Sequence, residues 1–333
     1  MAKTVAPRSL RSESLVYYPP YMRHIARRAY EEIMKYETLP PQNFLGLDDE
    51  HSAYATSAAL ILPIPYEGTV SYGQGTRAGP RAILEASHQV ELYDRELDDE
   101  PALTYGIHTL PALAPVVSGP AGMVDAIAAC AEEHLRSGKL LVGLGGEHTV
   151  SAGMARAVQA VHGDFVLVQI DAHSDLRDEY EGSAYSHASI ARRVFDQGMT
   201  IVQFGIRSIC REEIDLIRAE PARLHVWFAE DVHAGGHLPQ LAELVRGKKV
   251  FLTIDLDGFD PALVAATGTP EPNGLSWNQG LDIIRTVAHA ADIMAFDCVE
   301  LAPIPGQHAS DFLAAKLVYK AIGLTLASRG AKE

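Results

Sequence analysis

Cysteine is scarce. Only Cys130, Cys210 and Cys298 occur in 333 residues, and no two of them form a CxxC pair. An odd, scattered set excludes a disulfide framework and a zinc ribbon, and it suits a reducing cytoplasm. No run of about 20 apolar residues is present, so no helix is expected to span a membrane. Positive charge is also short: 28 Lys+Arg against 43 Asp+Glu give a net charge of −15. That balance lacks the basic stripe that nucleic acid requires. It is compatible with a small cationic substrate, although acidity also serves solubility. The opening MAKTVAPRSLRSES has no apolar core of a signal peptide, and Glu13 argues against an organelle transit peptide.

What is present points to a folded α/β chain. Hydrophobic residues make up 47% and charged residues 21%, which excludes general disorder. The length fits one large α/β domain or two smaller ones. Residues 1–50 read as a separate, partly helical arm. Within it, 21–36 carry apolar residues at helical spacing (Met22, Ile25, Ala26, Ala29, Ile33) between pairs of prolines. Residues 51–333 read as the catalytic domain. Short apolar runs there suit buried parallel strands: 58–64, 140–144, 165–170, 200–204, 225–228, 250–254 and 293–299. Helical patterns lie between most of them, at 80–90, 122–136, 151–161, 188–197, 211–219, 238–245, 277–290 and 310–326. Strand and helix in turn predict a three-layer α/β/α fold with a parallel sheet. In such sheets, ligands bind beyond the carboxyl ends of the strands.

Three of those ends carry metal-type ligands. Gly145-Gly146-Glu147-His148-Thr149 follows the second run, Asp171-Ala172-His173-Ser174-Asp175 the third, and Asp255-Leu256-Asp257 the sixth. In extended chain, i, i+2 and i+4 point to one side. Asp171, His173 and Asp175 can therefore face one point, as can Asp255 and Asp257. Any one of these residues is equally a helix cap or a satisfied polar group. Six together, at three expected strand ends, are hard to explain by capping. Four carboxylates and two imidazoles match two divalent ions in charge, and the absence of thiolate suits Mn²⁺ or a similar ion. The phosphate-loop reading of 143–146 lacks the Gly-Lys-Ser/Thr that should follow.

GGEHT, DAHSD and TIDLDGFDP, followed by TGTPEP, resemble the motifs of the ureohydrolase (arginase and agmatinase) family. GTVSYGQGTRAGP at 68–80 and DFLAAKLVY at 311–319 are similar to segments of bacterial agmatinases. The resemblance runs from about Ala58 to Leu326. It implies an eight-stranded parallel sheet, two Mn²⁺ per subunit, and hydrolysis of a guanidinium to urea and an amine. It also implies roles. His148 and Asp175 hold one ion, His173 and Asp257 the other, and Asp171 and Asp255 bridge both. His187 transfers a proton, and Glu300 grips the guanidinium. Departures from the family pattern are Glu147 and Thr149 in GGEHT, Ala188-Ser189 after His187, and Val264-Ala265-Ala266 before TGTP. None removes a ligand, and two of them bear on substrate identity.

The segment 176–185 (LRDEYEGSAY) carries three acids and one base. Such a loop repels a carboxylate and attracts a second cation. It therefore favours a doubly cationic guanidine such as agmatine, with Asp178 and Tyr185 as substrate contacts. N1-aminopropylagmatine is the close alternative; guanidinobutyrate, arginine and guanidine fit less well. A non-catalytic homologue would have lost ligands, and a deacetylase would lack TGTPEP. Family members are commonly trimers or hexamers, so a homo-oligomer is expected from the resemblance.

Overall fold

The computed structural model describes residues 39–330. The arm helix expected at 21–36 lies outside them. The compact unit starts at Pro40, ahead of the expected boundary at 51. Phe44, Leu45 and Leu47 are buried in the core. Side chains hold their backbone: Phe44 N–H donates to Thr109 Oγ1 at 2.9 Å and Leu45 N–H to Ser87 Oγ at 2.8 Å.

Eight parallel strands form one sheet. They are β1 (Ala59–Ile64), β2 (Ile107–Thr109), β3 (Leu140–Gly145), β4 (Val166–Ile170), β5 (Thr200–Ile206), β6 (Leu224–Phe228), β7 (Lys249–Asp255) and β8 (Asp292–Val299), in the order β2-β1-β3-β8-β7-β4-β5-β6. Seven coincide with the expected runs. β2, three residues at the sheet edge, is too short to show a pattern. Alternate strand residues serve opposite faces. Ile61, Val142, Val168 and Leu252 join one buried cluster, and Leu60, Leu141, Leu167 and Phe251 the other. Helices cover both faces, so the runs are apolar on both sides except for a few polar residues such as Thr253 and Asp297.

Register brings the motifs together. Ile170 pairs with Ile254, so Asp171 and Asp255 leave β4 and β7 side by side. Ile254 pairs with Cys298 and Asp255 with Val299, which sets Glu300 just beyond the neighbouring end. β3 pairs with β8 on the other side, placing Glu147 and His148 next to Glu300. Four adjacent central strands thus deliver every motif to one edge of the sheet.

The glycines of GGEHT are demanded by packing. A Cβ on Gly145 would lie 2.7 Å from both Val150 Cγ2 and Val299 Cγ1, and one on Gly146 would lie 1.9 Å from the Tyr66 carbonyl oxygen. Close backbone approach explains this pair.

Candidate metal centre

His148 is buried at the end of β3. Its Nδ1 lies 3.1 Å from Asp171 Oδ2, 3.0 Å from Asp175 Oδ2 and 3.3 Å from Asp255 Oδ2. It nonetheless makes no hydrogen bond there. His173 Nδ1 lies 3.0 Å from Asp257 Oδ2 and 3.6 Å from Asp171 Oδ1. Two groups result, His148/Asp171/Asp175 and Asp171/His173/Asp257, each with its ligand atoms within 4.8 Å of one another. Asp171 belongs to both and turns one oxygen toward each. Asp255 presents Oδ2 to His148 and accepts the Asp257 N–H on Oδ1 at 2.8 Å.

The charges fit cations. Burial pushes the Asp175 carboxyl up to about 7, helped by the charge of Asp171. Burial and the charges of Asp257 and Asp171 raise Asp255 well above the carboxylate range. Burial opposes charge on both histidines, yet the surrounding carboxylates outweigh it. They raise His148 well above its usual value, and His173 to about 12. Carboxylates this crowded call for positive charge among them. Divalent ions meet that need, and an unpartnered imidazole nitrogen facing carboxylate oxygens is a ready ligand.

Outer contacts orient these groups. His148 Nε2 lies 2.9 Å from Thr253 Oγ1, whose hydroxyl donates to Asp297 Oδ1 at 2.6 Å. Asp171 Oδ2 accepts from Gln169 Nε2 at 2.7 Å, and Gln203 in turn holds Gln169 at 2.8 Å. Asp257 Oδ2 accepts from Thr269 Oγ1 at 3.3 Å. Arg207 Nη2 grips the carbonyls of Asp257 and Glu271, each at 2.7 Å.

Glu300 and His187 face the same cavity, of about 320 Å³. Glu300 Oε1 accepts the His148 N–H at 2.6 Å, and burial raises its carboxyl to about 8. Glu300 and Asp175 both adopt left-handed backbone, with φ 64° and 52°. That conformation costs about 1–3 kcal/mol per residue, so the surrounding bonds must impose it. The Glu300 N–H is tied to the Gly146 carbonyl at 2.8 Å. His187 is held through Thr69: its N–H donates to Thr69 Oγ1 at 3.1 Å, and Nδ1 lies 3.3 Å from the same oxygen. Thr69 is fixed by Glu147, which accepts the Gly68 and Thr69 N–H groups, both at 2.7 Å, and the Thr69 hydroxyl at 2.8 Å. Glu147, the departure in GGEHT, thus steadies the loop under His187. Burial lowers the His187 pKa below 6.5.

Two expected contacts are not brought to the cavity. Asp178 is exposed and turned outward, where Arg193 Nη2 pairs with its Oδ1 at 2.8 Å and Arg192 approaches to 3.5 Å. Tyr185 is half-buried but does not line the cavity. From this loop, Arg177 and Tyr180 line it instead, so the acidic-loop argument does not hold in three dimensions. Sequence reasoning also missed Glu271 and Tyr72 in the cavity wall, Arg207 holding the Asp257 and Glu271 backbone, and Thr253 with Asp297 behind His148. For the last two a signal existed: each is a polar residue inside an otherwise apolar strand run.

Residues 57–323 match the arginase family. The chain is 41% identical to the N(1)-aminopropylagmatine ureohydrolase of Synechocystis sp., over 86% of this chain and 94% of that protein. It is 34% identical to the agmatinase of Halalkalibacterium halodurans, over 76% of this chain and 86% of that one. The solved agmatine ureohydrolase of Thermoplasma volcanium superposes with a TM-score of 0.78 at 28% identity, covering 92% of this chain and 100% of the other. Motifs, sheet order and paired His/Asp groups agree with these likenesses: the chain belongs to the arginase family, hydrolases of guanidino C–N bonds.

Proposed function

We propose that this protein hydrolyses N1-aminopropylagmatine to urea and spermidine, with agmatine as a second substrate. The observation that carries the order is the 41% identity to an aminopropylagmatine ureohydrolase, against 34% for an agmatinase. The sequence put agmatine first on the acidity of 176–185, and that support is gone once Asp178 pairs with Arg193.

His148, Asp171, Asp175, His173, Asp257 and Asp255 would hold two Mn²⁺ per subunit, with Asp171 and Asp255 the residues that would serve both. When bound, the ions supply an activated water for attack on the guanidinium carbon. Glu300 accepts the guanidinium N–H groups and orients the carbon, as a carboxylate can with paired bonds. His187, kept neutral by burial, takes a proton and returns it to the departing amine nitrogen. One C–N bond breaks, and water adds across it to leave urea and an ammonium. The enzyme works in the cytoplasm, in keeping with three unpaired cysteines, and assembles as a trimer or hexamer.

Urea release by the Mn²⁺-loaded enzyme tests this reading. The highest kcat/KM is expected on N1-aminopropylagmatine, with agmatine next and arginine, guanidinobutyrate and guanidine well below. A preference for a carboxylate-bearing guanidine overturns the substrate assignment. No urea from any guanidine overturns the activity.

A further inference from the structure

Beyond the metal ligands, three acids line the cavity: Glu213, Glu271 and Glu300. Glu300 is engaged at the metal end. Glu213 is buried and uses both oxygens, accepting the Leu176 N–H at 2.9 Å and the Cys210 N–H at 2.8 Å. Glu271 differs. Among the described residues its carboxylate has no hydrogen-bond or ion-pair partner, yet its backbone is fixed. Its carbonyl takes Arg207 Nη2 at 2.7 Å and Nε at 3.3 Å, and Pro270 and Pro272 flank it. Arg207 feels the charge of this carboxylate but makes no close ion pair with it, so a held carboxylate in the cavity wall keeps its oxygens open to a cation.

Tyr72 supplies a second, independent observation. It lines the same cavity and is 81% exposed, more than any other tyrosine among the described residues. Its loop is laid on the Glu271 loop: the Gly73 N–H donates to the Gly268 carbonyl at 3.2 Å. A Cβ on Gly73 would lie 2.6 Å from that oxygen, so the two loops touch backbone to backbone. One brings a carboxylate, the other an uncovered ring. Charge and a π face together suit an organic ammonium. Arg177 lines the cavity as well, its guanidinium 5.1 Å from the Tyr180 ring centroid. It repels an ammonium from its own wall and so directs a cationic tail elsewhere.

We propose that Glu271 and Tyr72 form a distal subsite for the ammonium tail of the substrate, and that this subsite sets the preference for polyamine-tailed guanidines over short ones. The inference rests on the guanidine-hydrolase reading above.

The test compares wild type, Glu271→Gln and Tyr72→Ala on N1-aminopropylagmatine and on butylguanidine, which has no tail ammonium. Glu271→Gln should lower the ratio of the two kcat/KM values by about tenfold, mainly through KM, the scale of one lost charge-assisted bond. Tyr72→Ala should lower it by a smaller factor. Equal losses on both substrates overturn the subsite. Calorimetric binding of spermidine reads the subsite without catalysis: Glu271→Gln should weaken it about tenfold, and an unchanged Kd overturns the proposal. If wild type hydrolyses no guanidine but spermidine binding still depends on Glu271, the activity fails and the subsite stands.

Discussion

Thr253 determines which nitrogen of His148 is free. Its single hydroxyl hydrogen goes to Asp297 Oδ1 at 2.6 Å, so toward His148 Nε2, at 2.9 Å, it can only accept. Nε2 therefore carries a proton, and Nδ1, facing Asp171, Asp175 and Asp255, is the nitrogen left to exchange its own proton for a cation. A tautomer selected in this way is the usual support of a metal-binding imidazole. β7–β8 register, which pairs Thr253 with Asp297, builds the relay into the sheet.

Thr253→Val keeps the shape of the side chain and removes the relay. It also leaves the His148 Nε2–H and the Asp297 carboxylate without their partner. Metal affinity should fall about 10–100-fold, measured by titration of the metal-free protein with Mn²⁺. Unchanged affinity would show that the tautomer is set by other groups.

Asp171→Ala should abolish activity and empty both metal positions, because Asp171 faces both groups through different oxygens. Elemental analysis checks this against the wild type. Retention of one ion per subunit would contradict a shared ligand.

The paired His/Asp groups were legible because their chemistry is local. Asp171, His173 and Asp175 alternate along one extended segment, and spacing alone shows that they share a side. The rest depended on distant partners. Asp178 reads as a cavity acid until Arg193, on the helix Ile190–Asp196, takes its charge. Glu271 matters because no hydrogen bond or close ion pair among the described residues takes its carboxylate, Arg207 reaching only its carbonyl, and an open carboxylate leaves no trace in a sequence. The burial of Phe44 and Leu45 was not legible because 40–50 has no period. Phe44 and Leu45 are buried through single turns and side-chain hydrogen bonds to Thr109 and Ser87.

His187→Ala should cut kcat by about 10²–10⁴-fold, the usual worth of a positioned acid–base group, with metal content nearly unchanged. The ring bonds Thr69 and Ser71 and meets the Tyr180 ring edge-on, with no hydrogen bond to any of the six His/Asp residues among the described residues. Kinetics and elemental analysis on one preparation separate the outcomes. A parallel loss of metal would make the residue structural or a ligand.

Gly146→Ala forces a methyl to within 1.9 Å of the Tyr66 carbonyl oxygen. Backbone cannot yield as a flexible side chain can, so stability should fall by about 3 kcal/mol or more. The same shift would displace Glu147 and His148, so metal affinity should fall together with Tm. Calorimetry and metal titration read the two effects. A normal Tm would mean that the strand end tolerates the move.

Glu96 joins two helices on the far side of the core. It accepts from Arg285 Nε at 2.5 Å on Trp277–Ala290, and pairs with Lys320 Nζ at 2.7 Å on Ala309–Gly330. The Arg285 bond, with Lys320 behind it, lowers the Glu96 carboxyl from 4.5 to about 2. A carboxyl depressed by folding stabilises the protein above its unfolded pKa and stops doing so as pH falls through its folded one. Its side chain is 36% exposed, so solvent screening holds the contribution to about 1 kcal/mol or less. Glu96→Gln should therefore lower Tm by about 1–2 °C at pH 7. The gap between wild type and variant should narrow between pH 4.5 and about 2, because the unfolded chain takes up its proton first. Melting curves across that range check the sign. A gap that stays constant down to the acid end would place the stabilisation in packing of the side chain and not in its charge.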